Sequence, residues 1–163
     1  MQNTNIEKLN RQINTLVKNV KGEDTFVNQK KSVTYSEFLS NKMLLVLTIR
    51  KGIPYSLFAS IKSLAPFSEN EWAGLLEISS KTLQRYKKSS KNFKSAQSEK
   101  IIELAEVANL GSEVFGNMEK FKLWLETPNF SLGKLKPIEL LKDSYGKEMV
   151  LGELTRINYG ILA

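Results

Sequence analysis

Apolar residues recur every three or four positions along much of the chain, which is the spacing of one face of an α-helix. Residues 4–20 show this pattern first, and they predict an amphipathic helix. The polar stretch 21–32 has no such periodicity and indicates a mobile linker, so we interpret the first helix as a loosely joined arm. The apolar positions of that helix are Ile6, Leu9, Ile13, Leu16, Val17 and Val20.

A second apolar element begins near Thr34 or Ser36 and runs to Lys51, where Gly52 suits a helix C-cap. Residues 44–49 could also form a strand, but no second strand-like run could pair with them, and a lone strand is not stable. The pattern therefore favours an all-α fold. Further helices are predicted at residues 54–66, 97–111, 117–126, 137–142 and 147–158, with Pro54 in a first turn and Gly111 as a C-terminal cap.

Residues 68–91 combine two helix signals across a short break, which is typical of a helix-turn-helix. Ser68 and Glu71 have the spacing of a capping box. Ser79 or Ser80 can cap a second helix, which Leu83 and Tyr86 would hold to the core. The other side of this helix carries side chains that contact phosphates and base edges in a major groove. The candidate DNA-binding residues are Ser80, Lys81, Thr82, Gln84, Arg85, Lys87, Lys88 and Lys91.

These residues are expected to differ in role. Gln84 can bond adenine and Arg85 can bond guanine in bidentate fashion, so both are assigned to base contacts. Lys81 and Thr82 could serve either purpose, whereas the three later lysines are assigned to the DNA backbone. The competing interpretation is that the lysines simply form a solvated helix face.

Charge is unevenly distributed. Residues 41–100 carry eleven Lys and Arg against four Asp and Glu, a net charge of +7, which equals the net charge of the whole chain. Residues 1–40 carry +2 and residues 101–163 carry −2. Because the basic excess coincides with the helix-turn-helix pattern, we predict a nucleic-acid partner for the middle of the chain and a different partner for the C-terminal third.

The chain contains no Cys and no His, which removes the commonest metal ligands and the commonest general base. Asp143, Glu148 and Glu153 have no accompanying nucleophile and are interpreted as solvated helix residues. We therefore expect no catalytic residue, no metal and no cofactor. The first residues lack a signal-peptide pattern, and no apolar run approaches the length of a membrane span, so a cytoplasmic location is expected.

The chain ends in apolar residues after an amphipathic helix, and an exposed apolar end is uncommon unless something covers it. Arg156 could merely stabilise the helix C-terminus by its charge. We nevertheless interpret this end as a recognition segment, whose candidate residues are Arg156, Asn158, Tyr159, Gly160, Ile161, Leu162 and Ala163.

A resemblance to a known family indicates which partner this C-terminal segment would bind. The C-terminal half contains a VFG turn, a helix ending in WL, a PN-x-x-LG loop, a KP-x-x-LL helix and an L-x-R-I-x-YG ending. In this order they resemble the toxin-binding domain of the Xre/MbcA/ParS antitoxins. Upstream, GIPYSLF and PFSENEWAGLLEISSKTLQRYK are similar to the Xre-like helix-turn-helix of the same antitoxins. The resemblance runs from about residue 50 to residue 163.

The resemblance implies an antitoxin of a type II toxin–antitoxin system, paired with a RES-domain toxin that consumes NAD. The C-terminal domain would cover the active site of the toxin, and the helix-turn-helix, as a homodimer, would repress the operon at its promoter. The expected domains are an N-terminal helix and linker (1–40), the helix-turn-helix (41–95) and a toxin-binding domain (96–163). The alternatives are a free-standing transcriptional regulator, whose C-terminal helices only dimerise, and a small enzyme.

Overall fold

The computed structural model describes residues 2–21, 32–89 and 91–160. Within these ranges the regular secondary structure is helical, apart from one isolated antiparallel bridge between Asn129 and Leu135, so the predicted all-α class is confirmed. The helices are α1 (Gln2–Lys21), α2 (Tyr35–Ser40), α3 (Lys42–Lys51), α4 (Tyr55–Lys62), α5 (Glu69–Leu75), α6 (Ser80–Lys88), α7 (Ser95–Phe115), α8 (Met118–Glu126), α9 (Pro137–Leu140) and α10 (Ser144–Asn158), and a 3-10 turn spans Phe130–Leu132.

Helix α1 belongs to the core, so the interpretation of a loosely joined arm is wrong. Leu9 and Ile13 are completely buried, and α1 packs against α2, α3 and α4. Asn14 exchanges two hydrogen bonds with the backbone of Val33, at 2.7 and 3.0 Å, and the N–H of Tyr35 donates to Asn10 Oδ1. Most of the predicted linker, residues 22–31, lies outside the described residues.

The element predicted from Thr34 to Lys51 is two helices rather than one. Thr34 and Glu37 form a capping box at the start of α2, and Asn41 ends α2 and also caps α3 through its side chain. Residues 44–49 lie inside α3, which excludes the strand alternative. Gly52 caps α3 at a φ of 85° and lies so close to Phe93 that a β-carbon would be 2.3 Å from its carbonyl oxygen. Glycine is therefore required there on two counts.

Helix α7 differs from its prediction at both ends. It begins at Ser95 rather than at Gln97 or Ser98, and it passes through Gly111 to end at Phe115. The left-handed cap is Gly116, with a φ of 60°. Gly111 has a packing role, because the ring of Phe121 occupies the space beside it. A glycine in sequence indicates either a cap or a close approach, and the prediction chose the wrong one.

The C-terminal helices follow the predicted order with small shifts. Helix α9 ends at Leu140, two residues early, and α10 begins at Ser144, three residues early, because Asp143 Oδ1 accepts from the N–H of Gly146 at 2.7 Å.

Pro54 precedes α4 as its N-cap rather than lying inside the first turn, and α4 ends at Lys62, before Pro66.

Helix α7 packs against both halves of the molecule, since it contacts α2 and α3 as well as α8 and α10. Four aromatic side chains contribute to the core: Trp72 and Phe121 are fully buried, and Phe115 and Trp124 are partly buried. In the described part of the chain, no helix is long and apolar enough to span a membrane.

Candidate nucleic-acid interface and C-terminal surface

Helices α5 and α6 are held by the caps that the sequence predicts. Ser68 Oγ accepts from the N–H of Glu71 at 3.2 Å, and Glu71 Oε2 accepts from the N–H of Ser68 at 2.6 Å, which completes the capping box. Of the two alternatives for α6, Ser79 is the cap, because its Oγ accepts from the N–H of Thr82 at 3.0 Å. Glu77 makes the turn between the helices at a φ of 54°, a conformation that side chains usually avoid.

Aromatic rings pack against the inner side of α6 and hold the helix in place. Leu83 is buried, and Tyr86 stacks on Phe93 with ring centroids 4.3 Å apart, so both predicted anchors are confirmed. Phe93 also meets Phe58 edge to face at 5.1 Å, and its N–H donates to the carbonyl of Ile53 at 2.8 Å. Phe93 lies between Asn92 and Lys94 and outside any apolar repeat, so the sequence pattern does not predict its burial.

The opposite side of α6 carries the candidate DNA-binding side chains. Positions 81, 84, 85 and 88 share one helix face, and with Ser79 and Thr82 they line a shallow depression of about 330 Å³. Lys91 does not line this depression; it lines a second one, which shares Arg85 with the first. Lys87 lines neither depression. Exposed side chains are found at Ser80, Lys81, Gln84, Arg85, Lys87, Lys88 and Lys91, whereas Thr82 is half-buried.

Gln84 is restrained by an acidic residue that sequence reasoning did not single out. Its Nε2 donates to Glu69 Oε1 at the start of α5, and the other oxygen of Glu69 accepts from Lys62 Nζ at 2.8 Å. The hydrogen bond from Lys62 is the main reason that the pKa of Glu69 lies below its usual value, and Gln84 and Lys87 act in the same direction. A carboxylate therefore lies within the basic surface and fixes the side chain assigned to base contact.

The C-terminal surface is built around α10. Tyr159 is 76% exposed, Asn158 is exposed, and Gly160 has a φ of 68° just after the helix end. Arg156 is half-buried and its Nη1 lies 3.3 Å from Glu153 Oε2. Ile161, Leu162 and Ala163, which complete the predicted recognition segment, lie outside the described residues.

Charged residues join the two halves through α7. Glu106 Oε1 lies 3.3 Å from Lys42 Nζ of α3, and Glu106 Oε2 lies 3.3 Å from Lys147 Nζ of α10. Lys147 also pairs with Glu148 at 2.8 Å. Burial alone would lower the pKa of Lys147, but these two carboxylates outweigh it and raise the pKa. Burial, with a smaller contribution from Glu106, likewise raises the pKa of the Tyr35 hydroxyl.

The three carboxylates considered for acid–base chemistry each have a structural partner. Glu148 pairs with Lys147, Glu153 pairs with Arg156, and Asp143 caps α10. Across residues 2–21, 32–89 and 91–160, no group of three or more acidic side chains has the arrangement of a metal site.

Comparison with known families divides the chain into two matched regions. The antitoxin Xre-like helix-turn-helix domain matches residues 44–106, which contain α4, α5 and α6. The antitoxin Xre/MbcA/ParS C-terminal toxin-binding domain matches residues 110–160, which contain α8, α9 and α10. A search of curated proteins found no match.

Proposed function

Because the chain belongs to the Xre/MbcA/ParS family of antitoxins, we propose that it performs two kinds of inhibition. As the antitoxin of a type II system, it binds a cognate RES-domain toxin and covers the active site at which that toxin consumes NAD. As a repressor, it binds the promoter of its own operon as a homodimer. Neither activity requires a cofactor or a catalytic residue in this chain. Promoter binding requires access to the DNA of the operon, which fits a cytoplasmic location.

The proposal for DNA rests chiefly on the outward face of α6. Five of the candidate DNA-binding side chains line one shallow depression on a helix whose other side is anchored by Leu83 and Tyr86. In a helix-turn-helix the second helix enters the major groove, and a dimer reads two half-sites about one helical turn apart. The roles are those expected from the sequence, with Gln84 and Arg85 at bases and the later lysines at phosphates.

Promoter binding by Arg85→Ala and Lys91→Ala tests these roles at several salt concentrations. Arg85→Ala is expected to cost about 1–3 kcal/mol of binding free energy and to relax specificity at one position. Lys91→Ala should weaken binding to all sequences alike and lower the salt slope by about 1. Lys120→Ala, on the exposed side of α8, is the matched control and should change neither quantity. Unchanged affinity in the Arg85/Lys91 double variant contradicts the assignment of α6.

The proposal for the toxin rests on the exposed end of α10. Tyr159 is largely exposed, and Arg156 keeps guanidinium donors beyond the one directed at Glu153. Interface energy concentrates in a few Arg and aromatic side chains, each worth on the order of 2 kcal/mol or more. We therefore assign Arg156, Asn158, Tyr159 and Gly160 to toxin contact, together with residues 161–163.

Deletion of residues 159–163 tests this assignment after co-expression with the product of the adjacent gene. The full chain should co-purify with that product and neutralise it. The truncated chain should neutralise it less well, with promoter binding and melting temperature unchanged. Full neutralisation by the truncated chain contradicts the assignment, and a large loss of melting temperature would instead give these residues a structural role.

The rival proposal is a free-standing regulator whose C-terminal helices only dimerise. It shares the α6 surface, so promoter binding cannot separate the two. Co-purification with the adjacent gene product separates them, because a free-standing regulator has no toxin to hold. A chain that represses its promoter but forms no such complex favours the rival.

A further inference from the structure

The outer face of α10 carries a row of residues that are exposed or, at Arg156, half-buried. Tyr145, Met149, Gly152, Arg156 and Tyr159 follow one another at spacings of four, three, four and three. At 100° per residue they fall within about 40° of a single line along the helix, over about 21 Å. We call this row the α10 strip. The buried residues of α10, Gly146, Lys147, Val150 and Leu154, lie on the opposite side.

The strip is unusual in its exposed apolar surface. Tyr145 is 88% exposed, Tyr159 is 76% exposed and Met149 is 48% exposed. Other large exposed apolar side chains in this half, such as Leu123 and Phe130, lie one to an element, and isolated apolar side chains on a surface are ordinary. Tyr, Met and Arg in one continuous row have the composition that is enriched at the centres of protein interfaces.

Gly152, at the middle of the strip, has no role within the described fold. No neighbouring atom lies within 4 Å of where its β-carbon would be, and its φ is not positive. Alanine would fit the space and is the better helix former, so packing and backbone geometry both fail to explain the glycine. By contrast, Gly111 and Gly146 are each required by close contacts, with Phe121 and with Leu140. A bare backbone at Gly152 lets a partner approach the helix axis closely.

We propose that the α10 strip is the surface that binds the toxin, and that the toxin approaches the helix most closely at Gly152. This inference rests on the proposed function and extends the contact from the chain end along the whole helix. The strip lies entirely within the region matched to a toxin-binding domain. It also includes Arg156 and Tyr159, which the proposed function already assigns to toxin contact. The strip calls for a partner surface that is apolar opposite Tyr145, Met149 and Tyr159 and that carries an acidic group opposite Arg156.

The test measures binding of the full-length antitoxin to a catalytically inactive form of the RES-domain protein encoded beside it, by titration calorimetry. Gly152→Arg places a bulky side chain into open space, so the melting temperature should not fall, yet toxin affinity should drop at least tenfold. Tyr145→Ala and Met149→Ala should each weaken binding severalfold. Met43→Ala is the matched control, because Met43 is 57% exposed on α3, and it should leave affinity unchanged.

Four outcomes are distinguishable. Failure of the unmodified chain to bind the toxin refutes the proposed function and the strip with it. Loss of binding on deletion of residues 159–163, with full binding by Gly152→Arg and Tyr145→Ala, refutes the strip alone. If Gly152→Arg converts a dimer to a monomer that still binds toxin, the occupant is a second copy of the chain, and the inference is wrong. Selective loss in the strip variants, with the dimer intact, supports it.

Discussion

Gly111 lies within α7 at a point where a β-carbon would be 2.1–2.5 Å from ring atoms of Phe121. Gly111→Ala should therefore force the ring or the helix to move and lower the free energy of unfolding by about 1–3 kcal/mol. Gly152→Ala is the matched control, because its added methyl enters open space and should raise that free energy by up to about 1 kcal/mol. Denaturant midpoints of the two variants measure the difference. Equal shifts of the same sign contradict the packing account.

The sequence predicted that Gly111 mattered but gave the wrong reason. Gly111 and Gly116 both follow apolar helical residues, and periodicity does not distinguish a helix end from a close approach by another element. The distinction depends on Phe121, ten residues further along, whose ring position is a tertiary property. Local patterns predicted capping at Ser68 and Ser79 better, because a cap is complete within four residues.

Glu69 provides a second prediction, which depends on the proposed DNA function. Glu69→Ala removes the acceptor that holds Gln84 and removes a negative charge from the basic face. Operator affinity relative to a scrambled duplex should fall, because Gln84 loses its orientation, while affinity for the scrambled duplex should rise. Glu69→Gln loses the charge but keeps a carbonyl acceptor, so it should retain more of the discrimination. An unchanged ratio in Glu69→Ala would show that Gln84 does not depend on Glu69.

The sequence predicted helix α1 and its apolar face, but it did not predict which helices pack against that face. A spacing of three and four shows that one face needs cover, but it does not show which helices provide the cover. The polar stretch after α1 suggested independence, whereas Asn10 and Asn14 hold residues 33 and 35 through backbone hydrogen bonds. Asparagine side chains inside an amphipathic helix gave no sequence signal for that contact.

Truncation of α1 side chains measures how far the rest of the fold depends on this helix. Leu9→Ala and Ile13→Ala should each lower the free energy of unfolding by about 2–5 kcal/mol, because both side chains are completely buried. Ile6→Ala, at a position 41% exposed on the same helix, should cost much less. Chemical denaturation with a single helix-sensitive probe suffices. Small losses at both buried positions would restore the interpretation of α1 as an arm.

The molecule as a whole should lose stability at high pH. The pKa values of Lys147 and Tyr35 are both raised by folding, from ordinary values of 10.5 and 10.0. Each group therefore contributes stability that is complete below its unfolded pKa and is lost as the pH rises through its folded pKa. Unfolding midpoints should be level from pH about 8 to about 9 and should fall as the pH rises beyond about 10, and those of Lys147→Met should fall less steeply than those of the natural chain. A flat profile contradicts the role of these groups.

Two-part organisation was predictable from the sequence, because the basic excess and the motifs separate along the chain. The helix that joins the two parts, α7, was less predictable. The predicted division at 95/96 falls at the beginning of α7, whereas the two family matches meet between residues 106 and 110, inside that helix. Sequence motifs identify what each part resembles, but a helix that packs on both parts is divided between the two matched regions.

The continuity of α7 has a consequence for how this protein can change by insertion. A single residue added between positions 106 and 110 would rotate everything beyond it by about 100° and advance it by about 1.5 Å. Lys147 would then turn away from Glu106, and the orientation of the C-terminal half relative to α6 would change. Seven added residues would restore the phase to within about 20°. The angle between the outer faces of α6 and α10 is therefore set by the helical phase of α7, and each residue inserted there changes it by about 100°.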